Sequence, residues 1–250
     1  MILAAGLGTR LRPLTDDRPK ALVEVAGRPM ASWVIARLAR HEFTDLIINA
    51  HHFADQIEAF ADAFDHPGIS LTVSVEEEIL GTGGGVRKAT GFFDDEPFLV
   101  HNVDVLTDLD LSGLMNAHRA SNALVTVAVK ERRSSRHLLF DREDILCGWQ
   151  SDVTGETRMV RPARPSHGEV TAVPFMGVYA MSPEALTRMR EAGPFSIIDF
   201  FLQLARDGER IRAFRAEDAR WADFGSQERI EAGVKLFGGD WFEGLVAIDR

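Results

Sequence analysis

The sequence predicts an α/β protein built on an open, mostly parallel, Rossmann-like sheet flanked by helices, with a small β-rich lobe in its second half. Three observations predict it. Short apolar runs alternate with stretches of helical period through the first half of the 250 residues, the βαβ pattern of a sheet covered on both faces. The stretch Leu3 to Leu22, LAAGLGTRLRPLTDDRPKAL, passes from apolar residues into a glycine loop followed by cations, as where a strand delivers a ligand-binding loop. Hydrophobic residues at 45% and charged residues at 26% are ordinary for a globular protein with a sizeable core.

Met1 to Ala5 suits a short buried strand. Val23 to Val25 suits another, broken by Gly27, Arg28 and Pro29. Met30, Trp33, Val34, Ile35 and Leu38 recur at helical spacing over 30–41. Leu46 to Ala50 is an apolar run that fits a buried parallel strand, 53–64 returns to helical period until Pro67 and Gly68, and Ile69 to Val75 alternates as a strand. A glycine-rich turn, Gly81 to Gly85, should precede a helix from Val86 to Phe92, and the glutamates before it, Glu76 to Glu78, read as a solvated face. Pro97 to Val103 is the next apolar strand, Asp110 to Ala120 a helix, and Ala123 to Val129 a strand.

From Arg132 to about Thr171 the pattern breaks into short β-like pieces separated by Gly148, Gly155, Pro162, Pro165 and Gly168, which predicts the β-rich lobe. Val173 to Ala180 reads as a buried strand interrupted by Gly177, where glycine leaves room beside the backbone for a ligand or for close packing. A helix is expected after Ser182 through Glu191, a core-facing helix over 196–205, a strand at Ile211 to Phe214, and a helix from Gln227 to about Leu236 with Ser226 as its N-cap. Trp241, Phe242, Leu245 and Val246 should pack on the body or on another subunit.

A net charge of −10 argues against a general nucleic-acid surface, which is usually basic; any phosphate must be met by a local cluster. The single cysteine, Cys147, excludes an intramolecular disulfide and a cysteine-based zinc site and suits a reducing compartment. His51, His52 and His167 show no metal-ligand spacing and default to structural roles. Neither a long apolar span nor a leader is recognisable, so the expectation is a cytoplasmic protein without membrane contact. An internal repeat is not evident either, so a single activity is expected.

Glycine lets backbone N–H groups approach phosphate oxygens closely, and Gly6 and Gly8 are followed by Arg10, Arg12 and Lys20, forked and point-charge donors suited to a triphosphate. A lone Gly-x-Gly fits a plain surface loop equally well. The string is not a dinucleotide fingerprint, because Leu11 occupies the third glycine position, nor a Walker A loop, because no Gly-Lys-Ser/Thr follows.

Gly6-Leu7-Gly8-Thr9-Arg10 and, after a short spacer, Pro19-Lys20 resemble the signature of the nucleotidyltransferases that join a sugar 1-phosphate to a nucleoside triphosphate, the nucleotide-sugar pyrophosphorylases. Further residues carry the resemblance. Gly81-Thr82 is similar to the family's turn at the nucleobase, Asn102-Val103-Asp104 to its Asn/Gly-x-Asp after an apolar strand, and Trp221-Ala222-Asp223-Phe224-Gly225-Ser226 to its Trp-x-Asp-x-Gly-Thr. Val103 departs from the usual glycine and would narrow the space beside a sugar phosphate. The family's Glu-Lys-Pro segment is missing; Arg158, Arg161 and Arg164 are the basic residues nearby.

The resemblance implies one nucleotidyltransferase domain over 1–250, with a nucleotide-binding half to about 130 and a sugar-binding half beyond. It implies that Leu3, Ala5, Gly6, Gly8, Thr9, Gly81 and Thr82 meet the nucleotide and that Arg10 and Lys20 are catalytic. Asp104 and Asp223 would hold Mg²⁺, which favours one or two carboxylates plus waters and substrate phosphates, although a strand-end Asp104 can equally cap a turn. Asn102, Gly177 and Arg161 would line the sugar side. The expected partners are a nucleoside triphosphate, UTP or GTP first, and a sugar 1-phosphate, with an oligomer left open. The short length and the Asn49-Ala50 strand end are similar to the compact bacterial members acting on N-acetylmuramate or mannose 1-phosphate. A CTP-dependent phosphocholine-type enzyme and a catalytically silent nucleotide-sugar-binding paralogue stay open; a nicotinamide enzyme is disfavoured by Leu11.

Overall fold

The computed structural model describes residues 1–161 and 170–246. In chain order the elements are β1 (Ile2–Leu3), β2 (Glu24–Val25), β3 (Arg28–Pro29), α1 (Met30–Arg40), β4 (Asp45–Ala50), α2 (Ala54–Asp62), β5 (Ser70–Val75), α3 (Gly81–Lys88), β6 (Phe98–Asn102) and β7 (Val105–Thr107). Then come α4 (Leu111–Arg119), β8 (Val125–Val129), β9 (Arg136–Phe140), β10 (Leu146–Ser151), β11 (Thr157–Met159), β12 (Thr171–Val173) and β13 (Phe175–Met181). The remainder is α5 (Pro183–Leu186), α6 (Ile197–Arg206), β14 (Ile211–Arg215), β15 (Trp221–Asp223), α7 (Gln227–Phe237) and α8 (Gly239–Val246). No helix among the described residues is long and apolar enough to cross a membrane.

The chain forms two compact units, each assembled from separated segments: residues 1–81, 101–111 and 219–250 in the first, and 82–100 and 112–218 in the second. No single cut near residue 130 reproduces them.

In the first unit, β1 pairs in parallel with the end of β6 on one side and with β4 on the other, and β4 pairs in parallel with β5. The register Ile2↔Ile48 and Asn49↔Ser74 brings the C-terminal ends of β1, β4 and β5 to one edge, where open α/β sheets bind ligands. Arg28 and Pro29 do not merely break β2; they fold back as β3 in a hairpin, and the Trp33 indole of α1 donates to Val25 O at 2.6 Å. Leu11, Trp33, Leu106, Phe224, Phe237 and Phe242 share a buried cluster, with Trp33 edge-on to Phe242 at 4.8 Å. The C-terminal aromatic residues therefore pack on their own chain. His51 and His52 follow β4, and His51 Nδ1 meets Glu76 O at 2.9 Å.

In the second unit, β14 runs parallel and β13 antiparallel to β8. The β-rich lobe is a four-stranded antiparallel sheet, β11-β10-β9-β12, as expected. Pro162, Arg164, Pro165, His167 and Gly168 lie outside the described residues.

Two expectations are corrected. The run Gly81 to Gly85 is the opening of α3 and not a turn before it. A Cβ on Gly83 would stand 2.2 Å from Phe195 Cε2, so close packing, not loop geometry, demands glycine there. The helix after Ser182 is a single turn, α5, and the chain then runs in turns and irregular structure through Gly193 and Pro194 to α6.

Candidate active site

The site begins where β1 ends. Gly8 has φ +64°, and a Cβ there would approach Thr15 Cγ2 to 2.9 Å, so the loop needs glycine for conformation and for space. Thr15 Oγ1 donates to Gly8 O at 2.9 Å, and Leu11 N donates to the same oxygen at 2.8 Å. These bonds close Thr9–Leu11 into a 3₁₀ turn that buries Leu11 and leaves Thr9 and Arg10 exposed. Among the described residues, its two chain neighbours aside, nothing comes within 4 Å of where a Cβ on Gly6 would sit. Leu3 and Ala5 are buried beneath the loop. Arg12 turns aside to an exposed ion pair with Asp16 at 3.3 Å.

Lys20, placed by Pro19 at the start of a second 3₁₀ turn, is only 8% exposed, and its Nζ sits 2.5 Å from Asp104 Oδ2. A buried ammonium needs such a partner. Asp104 lies in the turn between β6 and β7. The antiparallel pairing of β15 with β7 puts Asp223 opposite Val105, and Phe224 N donates to Asp104 O at 2.7 Å. The two aspartates, remote in sequence, are thereby neighbours.

Asp223 Oδ1 accepts from Gly225 N at 2.8 Å, and its Oδ2 accepts from Arg229 Nη1. A Cβ on Gly225 would meet Asp223 Oδ1 at 2.6 Å and Arg10 Nη2 at 3.2 Å, so the Arg10 guanidinium stands beside this turn. Arg10, Lys20, Asp104 and Asp223 thus converge within the first unit, and Arg229 joins them. The sequence reading missed Arg229; its signal was its place in the first turn of α7, where Ser226, the expected N-cap, accepts from Arg229 N.

Among the described residues no group of three or more His, Cys, Asp or Glu side chains could hold a metal by itself. Two hard carboxylates at adjacent strand ends fit a Mg²⁺ ion that takes its remaining ligands from water and phosphate.

Gly81 has φ +68° and ends the first unit. In the second unit, Thr82 Oγ1 accepts from Ile197 N at 2.9 Å, supporting the start of α6. Asn102 is half-buried at the end of β6. Val103 is 3% exposed, its side chain in the core of the first unit. Gly177, with φ +82°, sits where the pairing of β13 with β8 shifts register. Arg161 donates to Gly208 O at 2.5 Å, while Arg158 stacks 4.3 Å over Trp149 and pairs with Asp199 at 2.7 Å. Of the three predicted glutamates only Glu77 and Glu78 are solvated. Glu76 is 2% exposed, its carboxylate accepting from Asn49 Nδ2 at 2.7 Å and Leu80 N at 2.9 Å.

A glycine loop on the carboxyl edge of a parallel sheet, with cations and paired carboxylates converging beside it, has the equipment of a protein that handles polyphosphate. The chain belongs to the nucleotidyl transferase family, which residues 1–140 match. An N-acetylmuramate alpha-1-phosphate uridylyltransferase of Caulobacter vibrioides is 32% identical over 243 residues, covering 94% of this chain and 96% of that protein. A mannose-1-phosphate guanyltransferase of Candida albicans is 30% identical over 95% of this chain and 64% of its own length. Among solved structures, HddC from Yersinia pseudotuberculosis complexed with GMP-PN superposes with a TM-score of 0.74 at 22% identity, covering 95% of this chain and 98% of that one. That likeness bears on the α/β fold.

Proposed function

We propose that the protein transfers a nucleoside monophosphate from a nucleoside triphosphate to a sugar 1-phosphate, releasing pyrophosphate, with residues 1–250 acting as one domain for this reaction. The observation that carries the reading is the convergence of Arg10, Lys20, Asp104 and Asp223 beside the glycine loop. The two relatives named above, a uridylyl- and a guanyltransferase acting on sugar 1-phosphates, support the same chemistry.

In this reaction an oxygen of the sugar phosphate forms a bond to the α-phosphorus while the bond to the β-phosphate oxygen breaks. The nucleophile is already anionic, so no strong base is needed, and catalysis is positioning plus charge stabilisation. The backbone from Gly6 to Thr9 would hold the triphosphate, with Leu3 and Ala5 beneath it and Gly81 and Thr82 toward the base. Arg10 would stabilise the departing pyrophosphate. Lys20, its stem buried and its ammonium on Asp104, would draw the sugar phosphate toward the α-phosphorus. Asp104 and Asp223 would hold Mg²⁺, which when bound neutralises phosphate charge. Asn102, Gly177 and Arg161 are the proposed sugar-side residues.

UTP with N-acetylmuramate α-1-phosphate is the favoured pair, because the Caulobacter relative so named spans nearly the whole chain. The test is pyrophosphate release in Mg²⁺ with four nucleoside triphosphates crossed against N-acetylmuramate, mannose and glucose 1-phosphates and phosphocholine. Release with UTP and the muramate ester is expected. Release with GTP and mannose 1-phosphate alone would reassign the substrates, and silence with tight nucleotide-sugar binding would replace catalysis with a binding role.

A further inference from the structure

The C-terminal ends of β1, β4 and β5 are joined by a buried polar chain that the mechanism above does not use. Ala4 N donates to Asn49 Oδ1 at 2.6 Å, Asn49 Nδ2 donates to Glu76 Oε1 at 2.7 Å, and Leu80 N donates to Glu76 Oε2 at 2.9 Å. Asn49 and Glu76 are each 2% exposed. The backbone holds Glu76 in place from the other side, since Glu76 N donates to Ala50 O at 2.7 Å.

Each member has one workable hydrogen-bonding role. Ala4 N–H and Leu80 N–H are obligatory donors, so the groups facing them must accept. An amide at position 49 then presents its NH₂ to position 76, where only an acceptor fits; an ionised carboxylate accepts at both oxygens. Buried polar groups left unmatched cost more than the bond itself returns, so this order of amide and carboxylate is specified rather than incidental. The chain ends on one side at Ala4, two residues before the glycine loop, and on the other at Leu80, one residue before Gly81.

We infer that Asn49 is a positioning residue for the transferase reaction: through Glu76 it sets the spacing between the loop Gly6 to Thr9 and the start of α3 at Gly81, and so the affinity for the nucleoside triphosphate. The inference rests on the function proposed above. It differs from a direct contact of Glu76 with ligand, which no change at Asn49 would repair.

The pair can be inverted without changing net charge. In the double variant Asn49→Asp, Glu76→Gln, the new carboxylate accepts from Ala4 N and from the glutamine NH₂, and the glutamine oxygen accepts from Leu80 N, so every bond is re-formed and only the one between the two side chains reverses its direction. Either single variant leaves two acceptors or two donors face to face. Three readouts are needed on the full chain: amide hydrogen exchange at Ala4 and Leu80 without ligand, calorimetric binding of UTP and of GTP with Mg²⁺, and KM for both substrates.

Each single variant should speed exchange at Ala4 or Leu80 and weaken binding of the preferred triphosphate by about tenfold or more, with the KM for sugar 1-phosphate within about twofold. The double variant should recover to within about threefold of wild type. A double variant no better than the worse single, or single variants that raise both KM values equally, overturns the positioning role. Slow Ala4 and Leu80 amides in a wild-type protein that binds neither triphosphate would instead overturn the transferase reading, and the positioning role with it, while leaving the buried chain itself intact.

Discussion

Replacing Gly225 by alanine puts one methyl group into the site while removing no charge. The backbone at Gly225 lies outside the left-handed region, so the substitution carries no conformational penalty. The cost is steric: the new Cβ would lie 2.6 Å from Asp223 Oδ1 and 3.2 Å from Arg10 Nη2. Restoring an ordinary contact of 3.4 Å requires a displacement of about 0.8 Å at the carboxylate, which is held by Gly225 N and Arg229. Misplacing a reacting group by about 1 Å costs on the order of 100-fold in rate, equivalent to roughly 2.7 kcal/mol of barrier. Fold stability should change by less than about 1 kcal/mol, because the groups displaced, half-buried Asp223 and exposed Arg10, can shift without opening the apolar core. The assay is pyrophosphate release at saturating substrates beside a thermal melt. Turnover within threefold of wild type at an unchanged melting temperature would refute the placement of Asp223 and Arg10 around this glycine.

Four further outcomes are expected. Arg10→Ala should lower turnover by roughly 3 to 4 kcal/mol of barrier, by analogy with other preorganised donors; near wild-type turnover would remove Arg10 from the chemistry. Asp104→Asn should weaken Mg²⁺ binding, measured by titration calorimetry in the presence of a non-hydrolysable triphosphate, and unchanged affinity would exclude Asp104 as a ligand. Gly233→Ala is a discriminating case: in an exposed helix it would stabilise by about 1 kcal/mol, but its Cβ would lie 2.2 Å from Cε1 of the buried Phe224, so a loss of about 1–3 kcal/mol is expected from overpacking, read as a lower melting temperature.

The acid limb of stability provides the fourth. His118 is buried between Thr126 Oγ1 at 2.9 Å and Ser182 Oγ at 3.0 Å, and burial lowers its pKa to about 4. Its unfolded value is near 6.5, so the unfolded chain binds the proton first, and stability falls as pH drops from about 6.5 to about 4 and then levels. The full effect is on the order of 3 kcal/mol. His118→Gln should flatten this limb in urea melts at pH 5 and pH 7; an unchanged difference between the two would assign it to other groups, among them His101, whose pKa burial also lowers to about 4.

The features legible from the residues alone are local ones. The order of apolar runs and helical periods places α1, β4, α2, β5, β6, α4 and β8 close to where they form, because period and capping are read by the backbone over a few residues. The glycine loop with its arginines, and Ser226 at the start of α7, are equally local: one needs a residue without a Cβ, the other a hydroxyl within reach of the first turn.

Contacts between distant segments needed the tertiary structure. Pairing of β15 with β7 is what makes Asp223 the neighbour of Asp104, and no spacing rule connects them. Glu76 looked solvated among three glutamates, yet the parallel register of β4 with β5 sets it beside Asn49 and buries it. The glycines of α3 suggest a loop from sequence, whereas Phe195 fills the space that a Cβ on Gly83 would take. Composition and periodicity are summed over neighbours in the chain, whereas burial and pairing depend on which strands lie side by side, and that is settled only when the whole sheet is assembled.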